Sequence, residues 1–447
     1  MIRDKKSEIK KSPKWDLGVS IVWLRRDLRL TDNAALYHAL KGPYPVLPLF
    51  IFDINILDKL EDKADARVTF IHQTLIDLQE KLTQENCSLL VKYDTPENAW
   101  AAVLKEYNVK AVYTNHDYEP YAKERDDALA EFLRSEDIIF HSFKDQVVFE
   151  KDEVVKADGK PYTVFTPYYK IWHGKLNDFF VKAYPTEKYF SNFYSTKKIA
   201  IPSLNEMGFE KSTQHFPTLN FEEKLDNYSK KRDYPAAEAT TKIGLHLRFG
   251  TVSIRAAAKK AIDHKADKWL AELAWRDFYM MILWHFPHIV DKAFKPAYDN
   301  IKWRNNEQEF KAWCEGKTGY PIVDAGMRQL NETGFMHNRV RMVVASFLCK
   351  HLLIDWRWGE AYFAAKLLDY ELASNVGGWQ WACGSGNDAA PYFRVFNPEL
   401  QLKKFDPKME YVFKYAPEYK KAILPVPIVE HTFARDRILK EFKRALA

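Results

Sequence analysis

The hydrophobic period changes once along this chain, and that change limits the folds open to it. Up to about residue 140, short apolar or β-branched runs alternate with helical stretches. Gly18 to Leu24 (GVSIVWL), Val46 to Phe52, Ser88 to Tyr93 and Ala111 to Asn115 read as strands, with helical periodicity at Val68 to Leu82 and Tyr121 to Arg134. Such spacing makes βαβ units and hence a parallel sheet wrapped by helices. After residue 210 nothing alternates with period two over a useful length. Trp269 to Trp284 and Pro321 to Trp356 are instead helical, the latter divided in two by Gly334. The expectation is an α/β N-terminal domain followed by an all-α C-terminal domain.

A chain of 447 residues is too long for one core. The reading is a basic tail at 1–14, an α/β domain at 15–141, a long connector at 142–208 that lacks sustained periodicity, and a helical domain at 209–447. Residues 1–14 carry six Lys or Arg against two acids, so +4 of the formal +6 sits in the tail. It reads as a solvated extension rather than a binding arm, and net charge says little about nucleic acid. Cys87, Cys314, Cys349 and Cys383 are widely spread with no C-x-x-C pair, which argues against zinc, a redox motif or a disulfide framework. No signal-peptide stretch opens the chain and no run of about eighteen apolar residues occurs. A soluble chain in the cytoplasm, away from membranes, is expected. No G-x-G-x-x-G follows the first strand, so any cofactor in the first domain must be held in another way.

Chemistry concentrates in three constellations of the second half. Glu272, Trp275, Arg276 and Tyr279 fall at i, i+3, i+4 and i+7, so one helix face presents a carboxylate, a large ring, a guanidinium and a phenol. An ion pair between Glu272 and Arg276 on a half-buried helix is the plainer reading, and both stay open. In MHNRVRM, Asn338 and Met342 share one face and His337 and Arg341 the next. His337 by itself reads as a satisfied hydrogen-bonding residue, although polar groups here precede an apolar VVASFL. Asp369, Glu371 and Asn375 precede Gly377-Gly378, with no further acid or His at metal-ligand spacing. A flavin would use them better. Carboxylates accept from ring N–H and ribose hydroxyl groups, an amide donates or accepts at the redox-active nitrogen, and a Gly pair lets backbone approach the ring.

WLRRDLRLTDN, RDYPAAEATT, ELAWRDFY, EGKTGYPIVDAGMRQL, GFMHNRVRM, DWRWGE, LASNVGGWQWA and DAAPYFRVFNP stand in one order. In this the chain resembles the DNA photolyase and cryptochrome family over residues 18 to 440. It is most like the bacterial class I members that act on cyclobutane pyrimidine dimers. The resemblance implies a Rossmann-like first domain, a helical FAD-binding second domain, and a lyase that acts as a monomer on UV-damaged DNA in the bacterial cytoplasm, on the nucleoid when bound. Relatives that repair (6-4) photoproducts place two histidines where this chain has Asn338 and Met342. A cryptochrome-type blue-light receptor is the main alternative, and a (6-4) photolyase a lesser one.

The resemblance also implies roles. Glu272, Trp275, Tyr279, Asn338, Arg339, Met342 and Trp381 would meet the lesion, flipped from the duplex and gripped between Trp275 and Trp381. Arg232, Arg339, Arg394 and Lys404 would contact phosphates. Tyr228, Thr240, Thr241, Gly244, Arg276, Arg341, Asp369, Tyr370, Glu371 and Asn375 would hold FAD, active in its reduced anionic form. Gly244 stands where many relatives have Ser, and Glu371 where Asp is common. Glu272, Asn338 and Asn375 would act in the chemistry, Glu272 stabilising the dimer radical anion. Trp379, Trp356 and Trp303 would relay electrons from solvent, although by themselves they read as core residues. A folate, a deazaflavin or an FMN-type second flavin serves many relatives as antenna. Tyr121 and Ala122 stand where folate-binding relatives have Asn and Glu, which argues against folate and selects no other pigment.

Overall fold

The computed structural model describes residues 18–389, 391–421 and 425–447. The basic tail at 1–14 lies outside them. The chain divides into two compact units, one of 18–117, 123–146 and 183–212, the other of 118–122, 147–182 and 213–447. The segment 142–208 is therefore shared: its later part belongs with the sheet, and its middle contributes helix Phe165–Lys175 to the helical unit.

The first unit holds five strands, β1 (Val19–Leu24), β2 (Val46–Asp53), β3 (Leu90–Asp94), β4 (Val109–Asn115) and β5 (Ile139–Phe143). They pair in the order β3-β2-β1-β4-β5, every pair parallel. Every residue of β1 is buried, as a central parallel strand covered on both faces requires. Pro48 is tolerated inside β2 because pairing with β3 begins only at Leu49 opposite Leu90. A helix cap follows β1: Asn33 accepts from the Leu36 amide at 3.1 Å and starts Ala34–Leu40. The sequence reading passed over β5, whose exposed edge blurs its pattern. It also passed over helix Pro96–Glu106, capped by Thr95 and opened by Pro96.

The second unit is helical, and no strand is assigned in it among the described residues. Trp269 to Trp284 lies within helix Asp267–His285. The long apolar stretch breaks at Gly334, whose φ of 62° ends Pro321–Thr333 and leads to Asn338–Ser346. A π-helical turn at Phe347–His351 follows, then helices Trp356–Lys366 and Leu372–Cys383. Among the described residues, no helix is long and apolar enough to cross a membrane.

Candidate functional site

Four helices of the second unit, with the turn that carries Asp369 to Glu371, line a cavity of about 380 Å³, within the range of small-molecule sites. Helix Asp267–His285 contributes Glu272, Trp275 and Tyr279; helix Asn338–Ser346 contributes Asn338, Arg339, Arg341 and Met342. Asn375, Gly378, Trp379 and Trp381 come from helix Leu372–Cys383, Asp369, Tyr370 and Glu371 from the turn before it, and Arg232 from a separate segment. Residues from all three sequence constellations thus share one space. A Cβ built on Gly378 would meet nothing within 4 Å, so the backbone is open there. On Gly377 a Cβ would lie 2.3 Å from the Tyr279 ring, so that glycine serves helix packing instead.

The helix-face pattern resolves against the intrahelical ion pair. Glu272 pairs with Arg232 and Arg276 with Glu371, the latter at 3.1 Å, so each charge reaches away from its own helix. Burial pushes the Glu272 carboxyl up, against the pull of Arg232. Glu371 is buried and also accepts from Arg248 at 3.0 Å. Arg341 donates from one nitrogen, Nη2, to both Asp369 oxygens, at 3.0 and 2.9 Å, while its Nε donates to the Met336 carbonyl at 2.7 Å.

His337 does not line this cavity. It caps its helix, Nδ1 accepting from the Arg339 amide at 3.2 Å. Burial, with Arg341 and Arg339 nearby, pushes it down to about 4. Arg339 pairs with Asp233 at 2.6 Å and lies 4.4 Å over the Phe405 ring.

Glu360 is the functional group that sequence reasoning missed. Its carboxylate accepts from Asn375 Nδ2 at 2.9 Å, and its backbone carbonyl from the same nitrogen at 3.2 Å. With both amide hydrogens spent, Asn375 has only its carbonyl oxygen to offer the cavity. Burial pushes the Glu360 carboxyl up, against these hydrogen bonds. Within DWRWGE nothing but the i+15 relation to Asn375 could have singled it out. Ala345, Phe363, Leu367 and Ser374 complete the wall and were not foreseen.

Other expected residues lie off the cavity wall. Thr240 lines a separate cavity of about 120 Å³ with Lys242 and His337. Thr241 accepts from Trp269 Nε1 at 3.2 Å, and Tyr228 lies under Arg232, the guanidinium 5.4 Å from the ring centre. A Cβ on Gly244 would fall 2.9 Å from Asp369 Oδ2, so the missing side chain makes room for the Arg341 partner. Arg394 and Lys404 lie over Phe396 and Phe405, at 5.8 and 5.2 Å. Trp379 and Trp356 are buried and Trp303 half-buried. Trp379 is wedged edge-on to Phe363 at 5.0 Å, and a Cβ on Gly359 would meet its ring at 2.1 Å. Its buried indole N–H has no partner among the described residues. Ala122 is buried and Tyr121 half-buried.

The donors and acceptors fit a flat, nitrogen-rich ring. One open backbone stretch, a carbonyl acceptor fixed by Glu360, and carboxylates already anchored by arginine are what a flavin needs for orientation.

The comparisons agree with this geometry. Residues 20–188 match the family described as DNA photolyase, and residues 269–424 match the FAD binding domain of DNA photolyase. The deoxyribodipyrimidine photo-lyase of Alkalihalophilus pseudofirmus is 35% identical over 473 residues, covering 95% of this chain and 98% of its own. A bacterial class III photolyase from Agrobacterium tumefaciens superposes with a TM-score of 0.87 at 33% identity, over 98% of this chain and 99% of its own. A cryptochrome from Synechocystis gives 0.84 at 25% identity, over 95% and 99%.

Proposed function

The chain belongs to the DNA photolyase family, and on that premise we propose that it repairs cyclobutane pyrimidine dimers in DNA, using light and bound FAD. The observation that carries this reading is the single cavity that gathers Glu272, Trp275, Asn338, Met342 and Trp381 with Arg341, Asp369 and Asn375. Residues suited to a dimer and residues suited to a flavin line the same space, so donor and acceptor need no conduit between them.

When bound, FAD in its reduced form supplies one electron to the dimer under blue light and takes it back after the ring opens. The remaining work falls to the chain. Trp275 and Trp381 provide flat apolar walls for a flipped pair of bases. Asn338 offers both donor and acceptor to their polar edges. Glu272, its carboxyl raised by burial, shares a proton with a base carbonyl where negative charge develops. Arg232 restrains that carboxyl in the free protein, and a DNA phosphate competes for the same guanidinium. Asn375, held by Glu360, would accept from a ring N–H and so keep that proton in place. Arg341 and Asp369, and Arg276 with Glu371, would help to hold the cofactor as paired charges. Trp379 carries electrons inward, and Trp356 and Trp303 continue the path toward solvent. Thr240, Thr241, Tyr228 and Gly244 hold the diphosphate side, and Arg394 and Lys404 add phosphate contacts.

We read the chain as a monomer and place it in the bacterial cytoplasm; four cysteines that remain free thiols support the location alone. Likeness to a cryptochrome keeps a light-receptor role as the second reading. One assay separates them. The flavoprotein is reduced, mixed with an oligonucleotide carrying one thymine cyclobutane dimer, and illuminated with blue light. Return of thymine absorbance, absent in the dark, is the expected result. No return with flavin bound and reduced would favour the receptor.

A further inference from the structure

Trp275 does not stand alone at the cavity wall. Phe165, the first residue of helix Phe165–Lys175, lies against it face to face, with ring centres 3.6 Å apart and planes 8° from parallel. So complete an overlap is not what two aromatic quadrupoles choose for themselves, since offset or edge-on packing is favoured. The surroundings therefore impose it. Phe278 closes edge-on against both rings, 5.7 Å from each.

The helix that carries Phe165 is fixed at two points. Its N-cap, Val164, has no side chain able to accept from the first amides. Asp388 supplies the missing acceptor from a distant loop: the Phe165 amide donates to its Oδ2 at 2.9 Å, and neighbouring Asn387 donates to the Thr163 carbonyl at 3.1 Å. A carboxylate there also complements the helix dipole. In the helix body, Trp172 donates to Asp277 of helix Asp267–His285 at 2.9 Å, so Phe165 and Trp275 ride on elements tied to each other.

We propose that Phe165 is a positioning residue for dimer recognition: it covers one face of Trp275, holds the indole plane still, and leaves only the opposite face and the ring edge to the cavity. A dimer stacking there would extend a preformed stack instead of ordering a loose one. Less rotamer freedom is then lost on binding. Undamaged DNA places no base in the cavity and gains nothing from the arrangement. The effect should therefore appear in discrimination between damaged and undamaged DNA rather than in overall affinity. This rests on the dimer-repair reading above.

The test compares the affinity of the FAD-loaded protein for a dimer-containing duplex and for the same duplex undamaged. Phe165→Leu keeps much of the volume and loses the ring; Phe165→Tyr keeps the ring. The expected result is a ratio reduced about threefold to tenfold in the Leu variant, with flavin content and melting temperature close to those of the parent, and a ratio retained in the Tyr variant. A Leu variant that keeps the full ratio would overturn the proposal, and so would equal losses in both variants. If the Leu variant does not fold, Asp388→Ala removes the acceptor that fixes the Phe165 end of the helix, and an unchanged ratio there would also overturn it. A parent protein with no preference for the dimer would overturn the repair reading itself, and this proposal with it.

Discussion

Two regions of this molecule gather charge, and they use it in opposite ways. At the carboxyl end of the sheet, between β1 and β4, the strand order reverses, which is where open α/β sheets bind ligands. Here the polar groups are spent largely on one another. Arg29 pairs with Asp145 at 2.5 Å and Arg26 with Asp117 at 3.1 Å, while Asn115 donates to Asp27 at 2.6 Å and to Asn33 at 2.9 Å. The helical cavity also pairs its charges, Arg341 with Asp369 and Arg276 with Glu371. Those pairs stand around open space, and Asn375 keeps a carbonyl for a guest. The customary ligand position of a fold is not evidence of chemistry. Unspent hydrogen-bonding capacity beside a cavity is a better guide.

The strongest way to break this comparison is to open the sheet network. Asp145→Ala would take the carboxylate partner from the buried Arg29 guanidinium, leaving it the Asp32 carbonyl, and should cost about 3 kcal/mol in denaturant unfolding, yet leave repair per folded molecule unchanged. Repair falling faster than folded fraction would mean that the carboxyl end of the sheet serves chemistry after all. On the helical side, Trp356→Phe should slow light-driven flavin reduction by about a hundredfold, near 2.7 kcal/mol of barrier. Repair after chemical reduction should be spared. Equal loss under both conditions would remove Trp356 from the relay. Glu272→Ala should lower repair per absorbed photon about tenfold with flavin retained, whereas loss of flavin content would make Glu272 structural.

The smallest effect concerns Asp277, which binds the Val148 and Phe149 amides and Trp172 behind the cavity wall. Burial raises its carboxyl from 3.8 to about 7 in the folded chain. The folded state thus holds the proton more tightly than the unfolded state. The stability this gives is present at low pH and is lost as pH rises from about 4 through about 7. Asp277→Asn should flatten that slope and raise the melting temperature by a few degrees at about pH 8. An unchanged pH profile would show that folding does not change the hold of Asp277 on its proton.

Much of this was legible in the sequence, for stated reasons. Strands β1, β2 and β4 announce themselves because both faces are buried, and helix Asp267–His285 because its rings and charges recur at helical spacing. Asn338, Met342, Asp369 and Asn375 followed from motif order. What escaped depended on pairing across distance. Glu360 acquires its role only when Asn375 folds against it, and Phe165 only when Asp388, 223 positions later, caps its helix. Arg276 and Glu272 stand four residues apart and still choose other partners, which no helical spacing rule could show. β5, with an exposed edge, carries too little apolar contrast to be read from pattern.

The helical cavity is the place proposed for the chemistry, and the polar network at the carboxyl end of the sheet the place for structural pairing. The most direct test is single-turnover repair of a thymine-dimer oligonucleotide under blue light, with flavin chemically reduced, comparing Asp145→Ala and Glu272→Ala at equal folded, flavin-loaded concentration. Full repair is expected from the first and about a tenfold loss in the second. A loss in Asp145→Ala with full repair by Glu272→Ala would contradict it.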